Sequence, residues 1–341
     1  CNESGSTLRF LFPLSIVKEN KILFKGKGKL FKRPLSPYFE NFDKYQIKCS
    51  SINENEILLD GELKSGVYEI DGNISSQFIT GLLYALPLLE GDSKLIINKN
   101  LESKGYVDLT LEILKLAGIE IVNNDYKSFD IRGNQTYKPF DYTVEGDYSQ
   151  VAFWIVAGII SANRDNEVKC LHVNKNSLQG DREIIEIVTR MGANLEIFDD
   201  YVIVKPSKTK GTVIDISQCP DIGPVLTVLA SLSEGETRII NGERLRIKES
   251  DRITSIKTEL NKLGGNVSEE GDSLIIQGVE GFRGGITVNA WNDHRIAMSL
   301  AIASTRCEKE IILEEAESVR KSYPHFWDDF VKMGGEIEKD C

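Results

Sequence analysis

The segment RLRIKESDR, residues 244–252, places four cationic side chains, a glutamate and an aspartate within one short stretch. The whole chain has 341 residues and a formal net charge of -11 at pH 7. Arginine and lysine grouped in an acidic protein are suited to bind small anions, because charged hydrogen bonds to phosphate and carboxylate are strong. The net negative charge disfavours nucleic acids and anionic membranes as partners.

The first part of this segment alternates cationic and apolar residues. Leu245 and Ile247 separate Arg244, Arg246 and Lys248. Alternation of this kind predicts a strand whose three cations share one face. A solvated edge strand, protected from further pairing by its charges, is the alternative interpretation.

The second part of the segment resembles a helix start. Ser250 or Asp251 would cap a helix, which places Arg252 in its first turn. The helix dipole disfavours a cation there, so we expect Arg252 to meet a ligand or a carboxylate. The apolar stripe that would bury this helix consists of Ile253, Ile256, Leu260 and Leu263.

One pattern recurs along the chain: a short polar helix start is followed by about three turns of apolar helix. Copies anchored about every 72 residues begin at Gly5, Ser76, Ser149, Asp221 and Asp293. In the later copies a second helix ends at a glycine before a strand, at Gly118, Gly192, Gly264 and Gly334. The pattern predicts an α/β (α+β) fold of βαβαββ repeats, with the apolar helices buried inside the sheets.

The repeats predict two lobes. The polar segment 138–147 is the best boundary, which gives an N-terminal lobe of residues 1–144 with two repeat units. Residues 145–341 would form a C-terminal lobe with three units.

The polar helix starts are candidate anion sites, because a helix N-terminus offers free N–H groups and partial positive charge. Ser75, Ser76 and Gln77 would add hydroxyls and an amide at one start, and residues 292–295 (NDHR) place cations at another. Capping alone would explain most serines and aspartates at such positions. Residues 25–34 (KGKGKLFKRP) lack the order of a nucleotide-binding phosphate loop.

The remaining features exclude several classes of protein. The six cysteines are scattered without CxxC pairs, so we expect reduced thiols, no metal site and a cytoplasmic protein. No apolar stretch is long enough for a membrane span. The chain starts without a signal-peptide pattern, and we expect it to begin in the middle of a structural element.

Several segments, in this order, resemble the 5-enolpyruvylshikimate-3-phosphate (EPSP) synthase family: ESGSTLRFL, GKLFKRPL, DGNISSQFITGLL, SKGYVDLTL, VEGDYSQVAFW, QGDREI, RLRIKESDRI, NDHRIAMSLAI and KSYPHFW. The resemblance covers nearly the whole chain and implies a two-lobed enolpyruvyl transferase fold with three βαβαββ units in each lobe. Five units are visible here, so the resemblance implies that the chain begins after the family's first unit and that its N-terminal lobe is incomplete.

The resemblance also implies an activity. The family transfers the enolpyruvyl group of phosphoenolpyruvate to the 5-hydroxyl of shikimate 3-phosphate and releases phosphate, in chorismate and aromatic amino-acid biosynthesis. The expected partners are these two small molecules, and the expected state is a monomer without cofactor or metal. Glyphosate should compete with phosphoenolpyruvate.

Site residues follow from the same resemblance, position by position. Asp221 would accept the proton of the attacking hydroxyl, Glu249 would shuttle the methylene proton, and Lys248 would orient the acceptor. Shikimate 3-phosphate would be bound by Ser75, Ser76, Gln77, Ser103, Tyr106, Asp221 and Lys248. Phosphoenolpyruvate would be bound by Gly5, Arg33, Gln77, Arg252, His294, Arg295 and Lys321.

Two alternatives stay open at this point. A sister enolpyruvyl transferase acts on UDP-N-acetylglucosamine, but it carries a catalytic cysteine in the loop matching residues 25–34, which contain none. A catalytically inactive remnant that only binds anions is the other alternative.

Overall fold

A computed structural model describes residues 1–338 of the chain. The chain forms two compact units, of which the first ends at Thr143 and the second begins at Val144, inside the polar segment 138–147. Residues 339–341, which the predicted C-terminal lobe includes, lie outside the described residues. Within residues 1–338, each helix is too short or too polar to cross a membrane.

Both units contain helices and strands in mixed order. The helices are α1 (Gly5–Leu14), α2 (Ser36–Lys44), α3 (Ser76–Ala85), α4 (Lys104–Leu116), α5 (Tyr148–Ile160), α6 (Glu183–Arg190), α7 (Gly223–Ser231), α8 (Arg252–Lys262), α9 (His294–Ser304) and α10 (Phe326–Lys332). The strands of the first unit are β1 (Asn20–Lys25), β2 (Lys48–Asn53), β3 (Glu56–Gly61), β4 (Val67–Asp71), β5 (Ser93–Asn98), β6 (Ile121–Asn124) and β7 (Ser128–Ile131). Those of the second unit are β8 (Val168–Leu171), β9 (Asn194–Ile197), β10 (Tyr201–Lys205), β11 (Val213–Asp215), β12 (Glu236–Ile240), β13 (Asn266–Glu270), β14 (Ser273–Gln277), β15 (Thr287–Asn289) and β16 (Ile312–Glu314).

The predicted βαβαββ repeat is confirmed. In the first unit, β4-α3-β5-α4-β6-β7 forms one complete repeat with the sheet order β4-β5-β7-β6. In the second unit, β11-α7-β12-α8-β13-β14 forms another, with the equivalent order β11-β12-β14-β13. In both sheets the first two strands pair in parallel and the others antiparallel. The parallel pair needs the helix as its crossover, whereas the last two strands form a hairpin.

The smaller sheets have the orders β1-β3-β2, β8-β10-β9 and β15-β16. All five apolar segments of the recurrent pattern form helices, namely α1, α3, α5, α7 and α9. Every residue of α7 is buried, because apolar and small side chains surround that helix on all sides. Each unit has its own continuous hydrophobic core around these helices.

The glycines that end the second helices adopt the left-handed conformation, as predicted. Gly118 has φ +77°, Gly192 +97°, Gly264 +99° and Gly334 +97°. A residue without Cβ takes this conformation at low cost, and the chain can then turn from helix to strand. In the first copy, which lacks the glycine, Gln46 follows α2 with φ +61°.

The strand predicted for residues 244–248 is wrong. Residues Glu243–Ile247 form a short 3₁₀ helix. With three residues per turn, alternate side chains do not share a face. Arg244 is buried, whereas Arg246 binds Asp251 at 3.0 Å and Asp272 at 2.7 Å. Leu245, only 1% exposed, packs into the core and overrides the alternation.

The helix predicted after this segment is confirmed. Asp251 caps α8 by accepting a hydrogen bond from the backbone N–H of Thr254 at 3.1 Å. Arg252 is the first helical residue. The predicted apolar stripe is buried, with exposures of 0–1% at Ile253, Ile256, Leu260 and Leu263.

Candidate active site

In the first unit, the start of α3 presents polar side chains. Ser75 caps the helix, and its hydroxyl accepts a hydrogen bond from the N–H of Gln77 at 3.3 Å. Ser75 and Ser76 are both buried. The capping interpretation is therefore correct for Ser75, and the hydroxyl also lies at the positive end of the helix dipole.

Arg9 on α1 is a site-associated residue that the sequence analysis missed. Its Nη1 donates to Oε1 of Gln77 at 2.7 Å, and its Nη2 donates to the carbonyl of Pro34 at 3.2 Å. The guanidinium carbon lies 4.7 Å from the ring centroid of Phe78. Arg9 thereby connects α1, α3 and the segment that carries Arg33. An arginine in the otherwise apolar run LRFLF was the available signal.

Arg33 lies directly against Gly5. A Cβ added at Gly5 would lie 3.0 Å from Nη1 and 3.1 Å from Cζ of Arg33. Contacts this close are rare for real side chains, so the guanidinium occupies the space that the glycine leaves. The structure therefore brings together these two predicted residues.

Ser103 and Tyr106 lie at the start of α4. Ser103 is 1% exposed and has φ +54°, an uncommon conformation for a residue with a Cβ. The backbone N–H of Tyr106 donates to the Ser103 carbonyl at 3.2 Å. Strained residues of this kind concentrate at functional sites, which makes Ser103 a reasonable ligand-binding candidate.

In the second unit, Arg252 is the centre of a cluster of carboxylates. Its Nη1 lies 2.8 Å from Asp221 Oδ1, and its Nη2 lies 2.7 Å from Glu249 Oε2. Its Nε lies 2.8 Å from Oδ2 of Asp293. The arginine side chain is 1% exposed. The carboxylates explain how a cation is tolerated in the first turn of α8.

Lys248 joins the same cluster, with its Nζ 3.0 Å from Asp221 Oδ1. Burial alone would raise the pKa of Asp221, but Lys248, Arg252 and Arg295 outweigh burial and hold the pKa well below its ordinary value. Burial, together with Arg244 and Arg252, lowers the pKa of Lys248. Asp221 is thus an ionised acceptor beside a lysine that gives up its proton more readily than usual.

Asp293, His294 and Arg295 form the start of α9. Asp293 is fully buried and caps the helix by accepting from the Arg295 N–H at 2.9 Å. Burial, with Arg295 and Arg252 nearby, lowers the pKa of His294 to about 3. The imidazole is therefore neutral at neutral pH. The sequence analysis identified Asp293 as a helix start but missed its ion pair with Arg252.

Arg295 and Lys321 both donate to uncharged oxygens, of the backbone or of a hydroxyl group. Arg295 Nη1 donates to the Ser149 carbonyl at 2.6 Å, and Nη2 donates to the Ser149 hydroxyl at 2.7 Å. Lys321 Nζ donates to the carbonyl of Asn292 at 2.6 Å. Ser149, at the start of α5, is a partner of Arg295 that local sequence patterns could not reveal.

The second unit therefore brings together seven predicted residues: Asp221, Lys248, Glu249, Arg252, His294, Arg295 and Lys321, either directly or through Asp293 and its neighbour Asn292. Two carboxylates beside buried cations can serve acid–base chemistry on an anionic ligand.

Known proteins of one family resemble this chain over nearly its whole length. The family model for EPSP synthase (3-phosphoshikimate 1-carboxyvinyltransferase) matches residues 1–330. A 3-phosphoshikimate 1-carboxyvinyltransferase of Clostridium perfringens (strain 13 / Type A) is 55% identical over 342 residues, which cover 100% of this chain and 80% of that protein. The enzyme of the same name from Clostridioides difficile (strain 630) is 54% identical, covering 99% of this chain and 77% of the relative.

Solved structures give the same result. EPSP synthase from Acinetobacter baumannii superposes with a TM-score of 0.79 at 25% identity, over 99% of this chain and 79% of that one. The enolpyruvyl transferase NikO from Streptomyces tendae shares the fold, with a TM-score of 0.76 at 17% identity over 97% of this chain and 76% of that one. The family resemblance predicted from the motifs is confirmed, and the chain belongs to the EPSP synthase family.

Proposed function

We propose that this chain transfers the enolpyruvyl group of phosphoenolpyruvate to the 5-hydroxyl of shikimate 3-phosphate, with release of phosphate. The observation that carries the proposal is the buried cluster in which Arg252 binds both Asp221 and Glu249. It combines cations for anionic substrates with two carboxylates for proton transfer. Relatives at 54–55% identity carry the name of this activity, which favours it over transfer to UDP-N-acetylglucosamine or an inactive remnant. We place the reaction in the cytoplasm, as part of aromatic amino-acid biosynthesis.

The proposed chemistry has two steps. First, Glu249 gives a proton to the methylene carbon of phosphoenolpyruvate while Asp221 takes the proton of the 5-hydroxyl, and the hydroxyl oxygen bonds to C2. Next, the new methyl group returns a proton to Glu249, and the bond from C2 to the phosphate oxygen breaks. The proton held by Asp221 leaves with the phosphate. Each positioned acid or base contributes roughly 10²- to 10⁴-fold.

The binding roles stay proposals. In the first unit, the buried hydroxyls of Ser75, Ser76 and Ser103 suit the phosphate of shikimate 3-phosphate. In the second unit, Arg295 and Lys321 suit phosphoenolpyruvate, because their contacts with uncharged backbone and hydroxyl oxygens can be exchanged for stronger ones with an anion.

The activity itself is tested by phosphate release from phosphoenolpyruvate. We expect the protein that carries this chain to release phosphate with shikimate 3-phosphate and to release none with UDP-N-acetylglucosamine. Release with the second acceptor alone would contradict the proposed acceptor. Silence with both would support an inactive remnant.

The contact between Gly5 and Arg33 predicts a specific defect in Gly5→Ala. The new methyl group would push the guanidinium by a few tenths of an ångström, and we expect the KM for phosphoenolpyruvate to rise roughly tenfold. Inhibition by glyphosate should also become weaker in Gly5→Ala. The KM for shikimate 3-phosphate should change less.

Gly281→Ala is the matched control, because the added Cβ would meet only the Arg306 carbonyl oxygen at an ordinary 3.5 Å. Steady-state kinetics decide the question. An unchanged KM for phosphoenolpyruvate in Gly5→Ala would show that Arg33 does not bind phosphoenolpyruvate.

A further inference from the structure

A strained turn carries Asp293 into the Arg252 cluster. Residues 290–293 connect β15 with α9, and Trp291 (φ +56°) and Asn292 (φ +48°) both adopt the left-handed conformation. Residues with a Cβ rarely take this conformation, and two in succession are less favourable still. Such a turn persists only where surrounding contacts hold it.

Glu259 on α8 supplies the main contacts that hold this turn. Its Oε1 accepts a hydrogen bond from the indole Nε1 of Trp291 at 2.8 Å. Its Oε2 accepts from the backbone N–H of Asn289 at 3.1 Å. The side chain is 1% exposed, and Lys262 Nζ lies 2.8 Å from the carboxylate. A buried carboxylate with these donors is a rigid anchor, because leaving it without them would be costly.

The rest of the turn is held at the two backbone polar groups of Asn292. Asn292 N–H donates to Glu315 Oε2 at 2.6 Å, and its carbonyl accepts from Lys321 Nζ at 2.6 Å. The Asn289 side chain accepts from the Trp291 N–H at 2.5 Å. The turn therefore connects the anchor on α8 with Lys321, a proposed binding residue.

We infer that Glu259 is a positioning residue for Arg252 and Lys321, two of the proposed phosphoenolpyruvate-binding residues of the second unit. Its carboxylate holds the turn in the conformation that places Asp293 against Arg252 and the Asn292 carbonyl against Lys321. Glu259 acts through these residues. The inference rests on the proposed function only for its kinetic test. It is a buried acidic group for which the proposed chemistry has no other use.

Glu259→Gln tests this inference, because it keeps the shape but turns one acceptor oxygen into an N–H₂ group that faces the donors of the turn. We expect the KM for phosphoenolpyruvate to rise roughly 10- to 100-fold, as misplaced binding groups cause, with a smaller change in kcat. Trp291→Phe removes the indole donor alone and should reproduce part of the effect. The double variant should show less than the product of the two effects, because both changes break one contact.

A spectroscopic readout separates positioning from general destabilisation. The chain has three tryptophans, and the indole ¹H–¹⁵N signal that is lost in Trp291→Phe identifies Trp291. That signal should shift in Glu259→Gln. The matched control is Glu269→Gln, which breaks the 3.0 Å pair with Lys257 on the outer part of α8 and should leave both the signal and the KM unchanged.

The outcomes of these experiments separate the inference about Glu259 from the proposed function. An unshifted Trp291 signal, or lowered stability with an unchanged KM for phosphoenolpyruvate, overturns the inference. If Glu259→Gln does not fold, an unchanged KM in Trp291→Phe overturns it as well. A wild-type protein that releases no phosphate contradicts the proposed function instead, and the Trp291 signal in Glu259→Gln still decides whether Glu259 holds the turn.

Discussion

Glu249→Gln is expected to lower kcat by roughly 10²- to 10⁴-fold, the usual contribution of a positioned acid–base group. Glutamine keeps the size of the side chain and one oxygen that can accept from Arg252 Nη2, which lies 2.7 Å from Glu249 Oε2. It cannot give up or take a proton at the methylene carbon. Substrate binding and the unfolding midpoint should therefore change little.

Two measurements check this expectation. Phosphate release gives kcat, and deuterium incorporation from D₂O into the enolpyruvyl methylene reports the proton shuttle directly. Glu236→Gln is the matched control, because Glu236 lies on β12 and pairs with Arg238 at 2.9 Å on the surface. A folded Glu249→Gln protein with wild-type kcat and wild-type deuterium incorporation would show that another group moves this proton.

The second large effect is a loss of stability in Arg252→Met. Methionine leaves the carboxylates of Asp221, Glu249 and Asp293 without their central cation, and breaking a buried ion pair in this way costs about 3–5 kcal/mol. Denaturant unfolding at neutral pH measures the loss. Arg238→Met, which breaks only exposed pairs, should cost less than about 1 kcal/mol.

The pH dependence of this loss has a definite sign. In the wild type the pKa of Asp221 and Asp293 is lowered, although burial acts in the opposite direction. Their contribution to stability is therefore present above the ordinary carboxyl pKa and is lost as pH falls through the lowered values. Without Arg252, burial has more weight and the pKa of both groups rises relative to the wild type, so the variant loses less stability than the wild type as pH falls.

The stability difference between wild type and Arg252→Met should thus narrow on acidification. Unfolding curves at several pH values below neutrality follow this difference, and a constant difference would contradict the charge argument. If Arg252→Met does not fold, Arg252→Lys keeps one charge and should show an intermediate loss with the same trend.

Most of the fold could be predicted from the sequence, because its signals are local. The polar helix starts, the apolar runs and the glycines such as Gly118 and Gly264 repeat at a constant spacing, and each has a direct backbone consequence. The cap at Asp251 was predictable for the same reason. Repetition made weak local patterns reliable.

The residues around Arg244 show the limit of prediction from local sequence patterns. A strand and a 3₁₀ helix can both accommodate alternating cationic and apolar residues over so short a stretch, and only the burial of Leu245 decides between them. Tertiary packing, which the sequence pattern does not contain, selected the helix.

The site was predictable in its members but not in its connections. The family resemblance named Arg252, whereas its bond to Asp293 joins residues from separate helix starts. The contacts of Arg9 with Gln77 and of Arg295 with Ser149 are of the same kind. No periodicity reports such long-range pairs. The substrate roles themselves stay predictions.

The carboxylate cluster also determines how ionic strength affects ligand binding at the site. Three carboxylate side chains and three cationic ones lie together there: Asp221, Glu249, Asp293, Lys248, Arg252 and Arg295. Each carboxylate lies beside at least one of these cations, and buried charges are screened by salt far less than exposed ones. Because these carboxylates balance most of the cationic charge, the cluster holds few counter-ions, and a ligand that binds there displaces few ions into the solvent. Ionic strength therefore acts on substrate capture mainly through the exposed charges of this acidic protein, and the cluster itself distinguishes ligands by geometry.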